Sequence, residues 1–425
     1  MRRASGCNGA VRWRVATAIL ALLIALAGCG DKGKADKPNG QIRGRVLTIY
    51  ASVPLNGASR VSGMAVVSGA RLALSQLHGR IGDYRIAFKI LDDATAKRGG
   101  WDPGQTTINA RAAVLDPTTI AYLGELNSGA SAVSIPPLNR AGIPQVSPTS
   151  TAVGLTSAGP SAFPGEPQKY YPTGVRTFVR VVPNDLVQSA AQVRAQKGLG
   201  CRSTYVLDDG EVDGADAARS FEVTAQTAGL RVLGVQAFPR NAPNYQGLAA
   251  GVAQLHPECV LIAADAESGA VGLTRQLAAA MPQVRLFGSA GLAESTYTDP
   301  AQGGIPASID SRVVLTAPTL VSSLYPASAS AFVAAYQRRY GAVEPDSIFG
   351  YEAMSLVLSA IDRATDRGTD PAVRSAVRSS LFATHDRHSV LGTYSVDRDG
   401  DTTLRRYGVY GIVDGRLAFW QAVAA

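Results

Sequence analysis

From Arg45 onward, short runs rich in β-branched and aromatic residues alternate with longer segments whose apolar positions recur at helical spacing. The run at 46–50 reads as a strand and 64–77 as an amphipathic helix. A second strand covers 85–91 and stops at Asp92-Asp93, then a helix at 105–115 leads into a strand at 120–123. This βαβαβ order predicts a parallel sheet covered by helices. The rhythm breaks across 152–174, a stretch rich in Pro, Gly and Ser, and the chain crosses over at 178–182. Strands at 203–207, 232–238, 259–263 and 285–287 then alternate with helices at 185–196, 214–228, 245–255 and 269–280. After a strand at 313–316, helices at 327–340 and 347–364 are expected to return to the first unit. The tail, 394–396 and 407–422, reads as β-hairpins turning at Asp399-Gly400 and Asp414-Gly415.

The expected fold class is therefore α/β, with two doubly wound parallel-sheet lobes joined by hinge crossings. The first lobe is expected over 45–178 and the second over 179–314, with a return to the first lobe over 315–390. Residues 391–425 are expected to form C-terminal hairpins, mainly on the second lobe.

The segment before Arg45 has a different pattern. Residues 1–14 carry Arg2, Arg3, Arg12 and Arg14 and no acid, and 15–27 is an uncharged, largely apolar run ending in Leu26-Ala27-Gly28-Cys29. About 20 apolar residues are needed to span a bilayer core, so this run is too short for a transmembrane helix and fits the core of a secretory signal. Small residues ahead of Cys29 read as a lipobox: a signal peptide over 1–28, cleavage before Cys29, and lipid on its thiol. Residues 29–44, polar and Gly-rich, are expected to be a flexible tether. With four of the 41 basic residues gone against 33 acidic ones, the formal charge of +8 falls to +4. No dense basic cluster remains, which argues against a nucleic-acid partner.

Of the four cysteines, Cys7 leaves with the signal and Cys29 takes lipid, leaving Cys201 and Cys259. Flavodoxin-like winding sets both at the same edge of adjacent strands, within reach of a disulfide, which an exported protein can keep. Two buried thiols are the alternative.

Ligands of open α/β sheets bind at the carboxyl ends of the strands. Those positions here hold Pro54-Leu55-Asn56-Gly57, Asp92-Asp93, the stretch Gly124 to Gly129 and the stretch Ser147 to Thr151. Ser128 precedes a helix expected near Ala130, so its hydroxyl and the amides that follow suit an anion; helix capping by Ser128 and Thr151 is the plainer reading.

These strand ends, with Gly63, Gly69-Ala70, Tyr122-Leu123-Gly124, Ile143-Pro144, Arg180 to Asp185, Gln188, Leu207-Asp208-Asp209 and Arg275-Gln276, resemble the branched-chain amino acid binding proteins of ABC transporters, across about 46–351. The resemblance implies a type I periplasmic-binding fold and a ligand carboxylate held by Ser128 and Thr151, with Asn127 and Thr149 beside them. The second lobe departs from the pattern. An acid, Asp213, stands near an expected aromatic, tyrosines are missing around Asp265-Ala266, and the acid that holds the ligand ammonium falls on Ala290. Ser62 replaces a lid aromatic. Asp213, Asp265, Glu267 or Glu294 could supply a carboxylate from another direction; otherwise the ligand is not an amino acid.

Phosphate-loop, dinucleotide and nucleophile-elbow motifs are missing from the sequence. His385 and His388 lack further ligands, and 397–401 lacks the glutamate of a calcium loop, so neither cofactor nor metal is expected. The expectation is a lipid-anchored, non-enzymatic, monomeric solute-binding protein facing the extracytoplasmic side. It captures an amino acid or related polar compound by lobe closure and delivers it to an ABC permease. A tethered ligand sensor and a cell-envelope enzyme are the alternatives.

Overall fold

Strand β1 (Val46–Val53) is buried at all but its first residue, as a near-continuous apolar sequence requires when helices cover both faces of a sheet. The computed structural model describes residues 40–424; the signal segment and Cys29 lie outside the described residues. After β1 come α1 (Arg60–Gln76), β2 (Arg80–Ile81), β3 (Tyr84–Asp92), α2 (Pro103–Leu115), β4 (Thr119–Leu123), α3 (Ser128–Arg140), β5 (Gln145–Ser147) and β6 (Phe178–Arg180). The first sheet has the order β2-β3-β1-β4-β5-β6 and is parallel except for the β2–β3 edge pair.

The chain then builds α4 (Asp185–Gly198), β7 (Ser203–Asp208), α5 (Val212–Thr227), β8 (Arg231–Ala237), α6 (Gln246–Gln254), β9 (Cys259–Ala263), α7 (Ala270–Ala280), β10 (Arg285–Gly288) and β11 (Val313–Ala317). These strands stand in the order β8-β7-β9-β10-β11, all parallel. Helices α8 (Ala327–Tyr340), α9 (Ser347–Ala364) and α10 (Arg374–Phe382) follow, and their Phe332, Met354 and Leu381 share a core with Leu47 and Ile49 of the first sheet. Finally β12 (Arg406–Val413) and β13 (Arg416–Ala424) form a hairpin that adds antiparallel strands to β11. The α/β class with two parallel-sheet lobes is what the apolar pattern predicted.

Close approach explains two glycines. A Cβ on Gly350 of α9 would lie 2.2 Å from the Val66 carbonyl oxygen, and one on Gly69 of α1 would lie 2.0 Å from that of Ser347. Helices α1 and α9 therefore pack with their backbones nearly touching. In the second lobe Cys201, just ahead of β7, and Cys259, the first residue of the adjacent β9, form a disulfide with Cα atoms 6.0 Å apart.

Several boundaries differ from the sequence reading. α1 starts at Arg60, four residues early, through a polar Ser-Arg-Val-Ser-Gly turn. α3 starts at Ser128, with Asn127 rather than Ser128 at its N-cap, and runs through Pro136 and Pro137. α10 was not anticipated: its Arg- and Ser-rich sequence keeps only Val377 and Leu381, one helical turn apart, in the core. Asp397 Oδ1 accepts the amides of Asp399, Gly400 and Asp401, a tight turn, while His385 and His388 are exposed.

Where the chain passes between sheets, Arg180 at the end of β6 is fully buried. Its guanidinium donates to Asp401 Oδ1 at 2.7 Å, to the Ser150 and Ala152 carbonyls at 2.9 and 2.8 Å, and to Thr156. Asn184, on the far side of the same crossing, donates to Asp401 Oδ2 at 2.9 Å. Among the described residues no helix is long and apolar enough to cross a membrane.

Candidate functional site

The carboxyl ends of β4 and β5 carry the loops that meet the second lobe. Asn127 caps no amide of α3; its Nδ2 instead donates to Asp265 Oδ2 of the second lobe at 3.0 Å. Ser128 Oγ accepts the amides of Thr151 and Ala152, both at 3.1 Å, and donates to Asp213 Oδ1 at 2.5 Å. Thr151 Oγ1 reaches the same Asp213 oxygen at 3.5 Å, while Thr149 Oγ1 donates to the Leu126 carbonyl at 2.8 Å.

Further contacts hold the lobes together. Ser59 donates to Glu267 Oε2 at 3.2 Å, Arg98 pairs with Glu211 at 2.7 Å, and Asp216 accepts the amides of Val153 and Gly154. The lobes thus stand closed on one another.

Between them lies a cavity of about 650 Å³, within the range of small-molecule sites. Asn127, Thr149, Thr151, Asp213 and Asp265 line it together, as does the half-buried Glu294. Ser62 and Ala290, the two positions where aromatic lid and ammonium-binding acid were expected, are also in its wall. Ser128 stands behind this lining and meets it through Asp213, and Glu267 is turned aside against Gly100 and Ser59.

Sequence reasoning missed Asp346. It occupies the N-cap position of α9 and comes to the cavity by way of the return crossing. An acid between Pro345 and the start of a long apolar helix was the available signal.

Burial dominates the electrostatics of these carboxyls. It pushes Asp213 up, with the Ser128 and Thr151 hydroxyls opposing. Asp265 is driven well above the carboxylate range by burial, reinforced by Glu267, Asp213 and Asp209. Glu294 rises well above its ordinary value, and Asp346 is raised to about 6. Among the described residues no group of three or more His, Cys, Asp or Glu could hold a metal ion.

Two α/β lobes, closed across a ligand-sized cavity at their carboxyl edges, define a bilobed binding protein. The chain belongs to the periplasmic binding protein family, whose model matches residues 47–416. Its fold is that of the leucine-binding protein LivK from Thermotoga maritima: TM-score 0.73, 19% identity, covering 89% of this chain and 99% of that one. LivJ of Streptococcus pneumoniae, a branched-chain amino acid transporter substrate-binding protein solved with isoleucine, gives a TM-score of 0.71 at 17% identity, covering 89% and 99%. An ABC-transporter solute-binding protein of R. palustris solved with benzoate gives 0.70 at 19% identity, covering 89% and 98%. No curated protein sequence matches the chain.

Proposed function

We infer that the chain is the extracytoplasmic solute-binding component of an ABC importer, anchored by lipid on Cys29. It captures a small polar ligand, an amino acid or related compound, and hands it to the permease in the closed form. The cavity between the lobes carries this reading, because its walls come from both and the Asn127–Asp265 and Ser128–Asp213 bonds join them across it. Kinship with a binding-protein family and likeness in fold to LivK and LivJ support it. Candidate ligand contacts are Asn127, Thr149, Thr151, Asp213 and Asp265, with Ser128 and Glu267 supporting them.

A thermal-shift screen of the full chain in detergent against amino acids, amides, amines and aromatic acids tests the inference. A ligand present at 100 times its Kd adds about 2.7 kcal/mol of stability. Absence of stabilisation by every class, with the chain folded, would reject the receptor reading.

A further inference from the structure

The ligand-facing groups of this cavity are arranged for a cation rather than for an amino acid. A serine hydroxyl has one proton and two lone pairs. At Ser128 the lone pairs take the amides of Thr151 and Ala152 and the proton goes to Asp213. Nothing is left for a ligand carboxylate. The protein already supplies a carboxylate at this point, at the first turn of α3, from the opposite lobe.

The rest of the wall repeats the sign. Asp213, Asp265, Glu294 and Asp346 all line the cavity, and none forms an ion pair with a lysine or arginine of the described chain. Arg98 and Arg240 are both paired with Glu211, and Arg180, whose charge reaches Asp213, is paired with Asp401. The one lining cation, Arg416, is exposed. Independently, Asn127 is 5% exposed and lines the cavity, with its Oδ1 accepting no hydrogen bond while its Nδ2 is held by Asp265. An acceptor buried without a partner costs about 1–3 kcal/mol. An ammonium, with three donors and no acceptor, suits the group formed by Asn127 Oδ1, Asp213 and Asp265. Glu294 and Asp346 line the same cavity with Ser62 and form a second acidic point in its wall. Leu126 and Ala293 add apolar wall to the same cavity.

We propose that the solute is an organic amine without a free carboxylate, a diamine or polyamine, with Asp213 standing where an amino-acid carboxylate would bind. The proposal rests on the receptor reading and narrows its ligand. Burial raises the Asp213 and Asp265 carboxyls, so an entering cation supplies the counter-charge that their ionised form needs.

Titration calorimetry of the full chain in detergent at pH 8 tests it, with putrescine, spermidine, L-leucine, benzoate and CaCl2 as probes. Putrescine or spermidine should bind at one per chain and at least 100-fold more tightly than leucine. Asp213→Asn, which can still bond to Ser128, should weaken the amine at least tenfold without lowering the unfolding midpoint. If that variant does not fold, Asp265→Asn should show the same loss. Tighter binding of leucine or benzoate would overturn the amine assignment and leave the receptor reading standing. Binding of calcium alone, or an unchanged amine affinity in the folded variant, would also overturn it. No binding by any solute class would sink both.

Discussion

Arg180 and Asp401 form a buried ion pair 2.7 Å apart that joins the first crossing between the lobes to the last. Removing one member of such a pair strands a charge and costs about 3–5 kcal/mol. Arg180→Met should therefore lower the free energy of urea unfolding by that amount, since the Ser150 and Ala152 carbonyls also lose their donor. A loss below about 1 kcal/mol would mean that the pair does not secure the crossing.

The disulfide gives a separate expectation. Cys201 and Cys259 are 58 residues apart in sequence, and the chain-entropy model assigns a closed loop of that length about 4 kcal/mol. Cys201→Ser with Cys259→Ser should cost a comparable amount in denaturant unfolding, and reduction of the native chain should lower its midpoint likewise. Equal stability of oxidised and reduced protein would contradict this.

Stability should also fall as pH rises across the weakly acidic range. Burial raises Glu125, Asp209 and Asp216 to about 7 each, and Asp346 to about 6. Between about pH 4.5 and 7 the native chain keeps protons that the unfolded chain has released, so unfolding becomes easier with each step upward. Glu166 and Glu258, which are lowered, act only below this window. The melting temperature of the ligand-free protein should be higher at pH 5 than at pH 8; a rise over that interval would reverse the sign argued here.

The packing of α1 on α9 makes a fourth point. Gly350 faces the Val66 backbone, which cannot rotate out of the way, so Gly350→Ala should cost about 1–3 kcal/mol by overpacking. A neutral substitution, measured by denaturant unfolding, would show that the helices can part.

Much of this fold was legible because buried parallel strands such as Cys259–Ala263 must be continuously apolar, and that signal survives without homologues. α10 was not, since two core residues in a polar nine-residue helix leave almost no periodicity. In the site, the strand-end rule marked Asn127, Thr149 and Thr151, all of which line the cavity. It could not say which residue of one lobe meets which of the other. The bond from Ser128 to Asp213 depends on the closure angle, and Asp346 on a crossing, and neither leaves a local pattern in sequence.

The central claim, capture of a solute by lobe closure, is tested most directly by a distance across the cleft. Spin labels at Leu115→Cys and Leu255→Cys sit on exposed positions of the two lobes, 69% and 49% accessible. Electron–electron resonance on the full chain should show a longer or broader distribution without solute, collapsing to one shorter distance with a stabilising amine or amino acid. A distribution that no solute of the panel alters would contradict the account.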